Sequence, residues 1–283
     1  MNRAFDALRA TLRARPGSLH LFAATVRERD ALLATGLDPR RNEGRDEDRI
    51  FAGAWLESPG ADAFGLVDRN GETSRATGVQ RHTLGAYLRA RPGPWTLVAT
   101  AALQLGRQRP AGPDPAPERR RIHAFLLSGQ AGYTPRPADG PAVGARLDYL
   151  SGDDRPDDDT DRAFDTVFAT NHPFYGHMDL FLDIPAQTGG RGLVDAVAQV
   201  SLRHGVWTAR ADLHYLALAR PDAHGERRLG LELDLGAART LAPGIELSGG
   251  YSVFRPAAAA PGPGLALGSE TLHWGYLQVT ASF

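Results

Sequence analysis

Few residues of this 283-residue chain have the types and spacing that catalysis or metal binding requires. Its nine histidines include no His-Glu-x-x-His pair, and neither a Gly-x-Ser-x-Gly element nor a phosphate-binding loop occurs. Asp157, Asp159 and Asp161 have the starting spacing of a calcium-binding EF-hand loop. Such a loop then needs a glycine and a closing glutamate, but the chain has Arg162 and Phe168 there. We therefore expect no enzyme activity, no metal site and no cofactor.

Charged residues that could bind a solute occur instead at every second position of several segments. All 32 basic residues are arginine, whose planar guanidinium group matches a carboxylate through two parallel hydrogen bonds. A ladder of arginines could pass an anionic polymer from one weak site to the next. Alternatively, arginines and carboxylates could pair with one another and fill a polar interior. We favour pairing for any single arginine and an anion path for the set, which comprises Arg9, Arg13, Arg81, Arg89, Arg146, Asp148, Asp195, Arg203, Arg210, Asp212, Arg228, Glu232 and Asp234.

The residues between these charges are apolar, as in the run Leu229, Leu231, Leu233 and Leu235. A β-strand places such charges on one face, whereas a helix would scatter them. Several segments reach ten residues, which suits a membrane strand of about nine to eleven residues better than a globular strand of about five or six. Thirteen strands are predicted, at Arg3–Arg13, Ser18–Glu28, Arg49–Glu57, Asp62–Asp68, Val79–Arg91, Trp95–Gly106, Arg121–Tyr133, Pro141–Ser151, Gly192–Arg203, Val206–Ala219, Arg228–Ala237, Gly244–Phe254 and Thr271–Phe283.

Composition excludes several classes of protein. A net charge of -1 gives no reason to expect nucleic acid as a partner, and the absence of cysteine excludes disulfides and thiolate metal sites. No apolar run is long enough for a transmembrane helix, whereas a β-barrel crosses a bilayer with only alternate residues apolar. We therefore predict an all-β fold, an antiparallel transmembrane β-barrel of outer-membrane type that forms a single domain over residues 1–283.

The connections between the predicted strands alternate between short and long. Short turns at Ala14–Gly17, Pro92–Pro94 and His204–Gly205 alternate with long stretches such as Arg29–Asp48. Short periplasmic turns and long extracellular loops are typical of outer-membrane barrels, so residues 152–191 are predicted to form a long extracellular loop. The last strand ends on Phe283, which would lie at the periplasmic rim. With thirteen strands the chain would then begin outside the cell, so we expect an odd number of N-terminal strands and a signal peptide to be missing.

The stretch from Tyr149 to Phe181 resembles the alginate export family of outer-membrane porins. The matching residues are Ser151, Gly152 and Asp153, Phe164 and Asp165, Phe168, Thr170, Asn171 and His172, Tyr175 and Gly176, and Met178, Asp179, Leu180 and Phe181. The resemblance implies a barrel of about eighteen strands, of which about thirteen are present here and five precede the chain.

The resemblance also implies a function, passive export of an anionic exopolysaccharide similar to alginate through an arginine-lined lumen in the bacterial outer membrane. Its partners would be the polysaccharide, outer-membrane lipid and components of a periplasmic export apparatus. Three alternatives stay open at this point. The first is a general or small-solute uptake porin on the same scaffold, the second a barrel esterase or lipase, and the third a soluble lectin-like sandwich.

Overall fold

The computed structural model describes residues 4–27, 49–70, 78–109, 118–136, 138–169, 171–172, 174–257 and 269–282. In these ranges the chain forms β-strands, turns and one short 3-10 helix, Ala186–Thr188. The strands are β1 Ala4–Ala14, β2 Gly17–Arg27, β3 Arg49–Ser58, β4 Ala61–Asn70, β5 Val79–Ala90, β6 Trp95–Gln108, β7 Arg120–Tyr133, β8 Gly140–Leu150, β9 Thr160–Asp161, β10 Leu193–His204, β11 Trp207–Ala217, β12 Arg228–Ala242, β13 Ile245–Pro256 and β14 Leu272–Ala281. No helix in the described residues is long and apolar enough to span a membrane.

The strands form one sheet in which sequence neighbours are also spatial neighbours. The order runs from β1 to β14 and omits only β9, which lies beside β7. Each neighbour pair with a resolved register is antiparallel, whereas Arg121 in β7 pairs in parallel with Thr160 in β9. In the described ranges the sheet is open, with β1 and β14 at its ends. The predicted all-β antiparallel fold is thus confirmed.

All thirteen predicted strands are present, and their ends lie within five residues of the predicted ones. The largest difference is in β12, which continues to Ala242 where Ala237 was expected. The two-residue strand β9 was not predicted. Short turns alternate with long connections as expected, and Gly205 (φ 57°) and Gly244 (φ 77°) supply the left-handed conformation that two of these turns need. The predicted loop Arg29–Asp48 and the terminal Phe283 lie outside the described residues.

The chain divides into two compact units. Unit 1 comprises Met1–Tyr87, Ala102–Ala124 and Arg155–Asp161. There, Asp68 accepts hydrogen bonds from Arg49 Nε and Nη2, both at 2.6 Å, and pairs with Arg81 at 3.2 Å. These contacts stabilise the buried carboxylate, because a charge removed from water needs charged partners.

Unit 2 comprises Leu88–Ala101, Phe125–Asp154 and Arg162–Phe283. Its strands present two chemically opposite faces. On β12, Leu233 and Leu235 are exposed while Glu232 and Asp234 are buried. We call the buried side the charged face; it comprises Arg146, Asp148, Asp195, Asp212, His214, Glu232 and Asp234, and the side chains of its strands alternate with an exposed apolar set. Exposed leucines on alternate positions are typical of strands that face lipid.

Candidate functional site

The charged face of unit 2 is held together by buried ion pairs. Arg146 lies between two carboxylates, with Nε 3.0 Å from Asp148 and Nη2 3.2 Å from Asp195. Asp148 also accepts a hydrogen bond of 2.5 Å from the hydroxyl of Ser128, and His214 Nδ1 lies 3.0 Å from Asp195. A buried charge is stable only when it is paired. This network therefore holds the side chains of the charged face in one arrangement.

The described residues between Arg162 and Gly192 fold against this charged face, and we call them the covering segment. Its tip, residues 174–178, contacts the charged face mainly through backbone atoms. The N–H of His177 donates to Asp234 Oδ2 at 3.2 Å, and the N–H of Met178 donates to Glu232 Oε1 at 3.0 Å. Arg146 also donates to the carbonyl oxygen of Phe174. These contacts place main-chain atoms of the tip directly on the buried carboxylates.

Gly176 shows how closely the tip approaches the wall. Its φ is 91°, and a Cβ atom at this position would lie 2.4 Å from Glu232 Oε2. The atoms at that distance are the far end of the Glu232 side chain, so an added Cβ would force this carboxyl group to move away from the tip. The positive φ disfavours every residue except glycine as well.

The base of the covering segment is fixed by the first residues of the family motif. Ser151 Oγ accepts the Phe125 N–H at 2.8 Å and donates to the Arg162 carbonyl at 2.7 Å. Asp153 pairs with Arg162 at 3.3 Å, and its N–H donates to the carbonyl of Gly190. Gly152 lies so close to Arg191 that an added Cβ would be 1.9 Å from its carbonyl oxygen. Ser151, Gly152 and Asp153 thus hold the two ends of the segment together.

The remaining motif residues shape the interior of the segment. Asn171 Nδ2 donates to Thr166 Oγ1 and to the carbonyl of Leu182, both at 3.0 Å. Asp165 Oδ1 accepts the N–H of Val167 at 2.6 Å. Of the other motif residues, Phe164 and Tyr175 are buried, His172 pairs with Asp179, and Asp179 has a φ of 59°. These residues act on the conformation of the segment, and Thr170 lies outside the described residues.

Tyr175 is the buried aromatic residue of the tip. Burial raises the pKa of its phenol, and the nearby negative charge of Asp148 raises it further, while Arg146 acts in the opposite direction. The phenol therefore stays neutral through the physiological range.

The predicted arginines belong to both units and occupy both buried and exposed positions. Arg146 belongs to the charged face, and Arg210 pairs with Asp212 through Nε and Oδ2 at 2.5 Å. In unit 1, Arg81 is buried against Asp68, whereas Arg9 is exposed and contacts His20 at 3.0 Å. Of the others, Arg89 is half-buried and Arg13, Arg203 and Arg228 are exposed. Their role as a substrate path stays a prediction.

One member of the charged face, His214, and the hydrogen-bond donor to Asp148, Ser128, were missed from the sequence. His214 has the same parity as Asp212 along β11, so the two-residue period already assigned it to the charged side. Ser128 becomes a partner of Asp148 through the β7–β8 pairing, in which the two residues are directly opposite. No group of side chains in the described ranges could hold a metal ion.

Comparisons with known proteins identify the fold class. No family model matches the sequence, and no curated protein matches it. Among solved structures the chain is similar to OccK11 (OpdR) of Pseudomonas aeruginosa, with a TM-score of 0.52 and 16% identity over 98% of this chain and 71% of that chain. OccK11 is an outer-membrane porin.

The chain therefore has the fold of an outer-membrane porin, and the bacterial outer membrane is the location that this fold indicates. The predicted localisation and the porin-like part of the predicted resemblance are confirmed. The likeness does not extend to the alginate export family.

Proposed function

We propose that this protein is a passive outer-membrane channel for small polar solutes, the first alternative left open by the sequence, and not an exporter of an alginate-like polymer. The observation that supports this choice most directly is the tip of the covering segment. Its backbone lies on Glu232 and Asp234, with N–H to carboxylate distances of 3.0 and 3.2 Å. A chain segment that lies on the charged face occupies space that a polymer would need.

The charges of the wall also favour this proposal. Arg146, which the sequence assigned to a polyanion path, is already bound to Asp148 and Asp195. An arginine whose hydrogen bonds are taken by buried carboxylates has less capacity to bind the carboxylates of a polymer. The similarity to the porin OccK11 supports a channel in the same sense.

Liposome swelling tests the proposal. The purified protein is reconstituted into liposomes, and swelling is followed in isosmotic arabinose, glucose and sucrose. We expect swelling rates that decrease steeply with solute size. In planar bilayers we expect stepwise conductance that mannuronate oligomers do not reduce. Block of the current by these oligomers would instead support export, and liposomes that do not swell in any sugar would overturn the channel proposal.

A further inference from the structure

Three acidic side chains and a serine form a row across the charged face. Asp212 in β11 lies directly opposite Asp234 in β12, and Asp234 lies directly opposite Ser252 in β13. Glu232 is on the same side of β12, two residues before Asp234. We call these four residues the acidic row. Like charges directly opposite one another across two strands are unfavourable unless a cation or a hydrogen-bond donor compensates them.

Asp212 is the carboxylate of the row that is only half satisfied: its Oδ2 pairs with Arg210, and its Oδ1 has no hydrogen-bond partner among the described residues. Asp234 Oδ2 accepts the His177 N–H and lies 3.6 Å from His214 Nε2, and Glu232 Oε1 accepts the Met178 N–H. The side chains of Glu232 and Asp234 are also close enough to share a hydrogen bond, which requires one proton between the two carboxyl groups.

The hydroxyl of Ser252 is likewise buried and lacks a hydrogen-bond partner in the described part of the chain. This orphan hydroxyl is a feature of the row that does not depend on its acidic charge. A buried acceptor without a donor is unfavourable, and more so when it is charged. The row thus contains two buried polar atoms, Asp212 Oδ1 and Ser252 Oγ, that lack a hydrogen-bond partner in the described residues.

The charge around the row decides which donors fit. Within the charged face, the carboxylates of Asp148, Asp195, Asp212, Glu232 and Asp234 face one buried arginine, Arg146, together with His214 and the half-exposed Arg210. This excess of acid disfavours an anion. A primary ammonium group carries positive charge and three N–H donors on one atom, which matches acceptors of this kind.

We propose that the acidic row is a subsite for the ammonium group of a small cationic solute, occupied when the tip moves off Glu232 and Asp234. The tip now satisfies these residues with two backbone N–H groups, and an ammonium group supplies donors of the same type. The inference rests on the proposed function, since the solute reaches the row through the channel.

Saturation-transfer NMR on the detergent-purified protein tests the subsite without requiring transport. Ethylammonium is titrated as the probe, and tetramethylammonium, which has the charge but no N–H donor, is its matched control. We expect ethylammonium to bind about tenfold more tightly, which corresponds to about 1.4 kcal/mol. Equal apparent dissociation constants for the two cations would overturn the proposal.

Variants locate the binding. We expect Asp212→Asn and Asp234→Asn to weaken ethylammonium binding about tenfold, and Asp183→Asn, an exposed carboxylate of the covering segment, to leave it unchanged. Ser252→Ala removes a hydroxyl that has no partner in the described residues, so it should fold at least as well as the wild type and bind ethylammonium about threefold more weakly. Unchanged binding in folded Asp212→Asn and Ser252→Ala would refute the assignment.

The two proposals fail in different experiments. If the variants weaken ammonium binding as expected but the protein does not cause liposome swelling, the channel proposal is contradicted and the subsite proposal is supported. If liposomes swell but the protein does not prefer ethylammonium over tetramethylammonium, the subsite proposal is contradicted and the channel proposal is supported.

Discussion

Gly176→Ala should release the tip of the covering segment from the wall. The new Cβ would lie 2.4 Å from Glu232 Oε2, and the residue would have to keep a φ of 91°. That conformation costs a non-glycine residue about 1–3 kcal/mol. Displacement of the Glu232 carboxyl group also loses its hydrogen bond from Met178, and a bond of this kind contributes about 0.5–1.5 kcal/mol.

Together these terms disfavour the docked tip by about 1.5–4.5 kcal/mol, which lowers the ratio of docked to released tip at least about tenfold. Chymotrypsin digestion in detergent, with cleavage after the buried Tyr175 measured by mass spectrometry, reads this ratio directly. We also expect a higher single-channel conductance.

Gly225→Ala is the matched control for this substitution. Gly225 has a similar φ of 85°, but nothing lies within 4 Å of the Cβ position. The control therefore contains the backbone strain without the collision, and its cleavage rate and conductance should equal those of the wild type. If Gly176→Ala is cleaved after Tyr175 no faster than Gly225→Ala, the tip is not held by Glu232 and the reasoning is wrong.

Three further predictions concern the covering segment. Gly152→Ala should lower the thermal unfolding temperature, because its Cβ would lie 1.9 Å from the Arg191 carbonyl oxygen. Gly129→Ala is the control and should leave the temperature unchanged, because nothing lies within 4 Å of its Cβ position. Equal melting curves for the two variants would contradict this prediction. Asn171→Asp should destabilise the docked segment by about 1–3 kcal/mol, measured by proteolysis, since a carboxylate cannot donate to the Leu182 carbonyl; unchanged protection would argue against that bond. The raised pKa of Tyr175 means that its phenol ionises more readily in the released tip than in the docked tip, so docking is fully stable below about pH 10 and weakens above it. Cleavage should therefore accelerate above that pH in the wild type and not in Tyr175→Phe. The same pH profile in both proteins would refute the assignment.

The sequence predicted the strands well because the two-residue period is a local property. In β12, the alternation of Leu233 with Glu232 and Asp234 is sufficient to assign each residue to a face, and the structure has them as expected. The missed strand β9 has only two residues, Thr160 and Asp161, and a period cannot be recognised over that length. Its pairing with β7 depends on residues about forty positions away in the chain.

The covering segment could not be placed from the sequence for the same reason. Its motif residues were recognised, but their spacing does not tell whether the segment extends into solvent or returns to the wall. The return is set by contacts such as Met178 with Glu232, which are specific to the folded sheet. The pairing of Arg146 with Asp195 likewise depends on the register of β8 and β10, in which Asp195 lies opposite Asp148.

The seating of the tip has a consequence for the order of folding. His177 and Met178 bind residues 57 and 54 positions further along the chain. Closing such long stretches of chain costs entropy, which the docked tip must repay through its contacts. Both carboxyl groups belong to β12, so the tip finds its acceptors only where this strand is already paired within the sheet. We therefore expect the tip to be the part of the covering segment that docks after its strands, and the acidic side chains of β12 to be hydrated until it does.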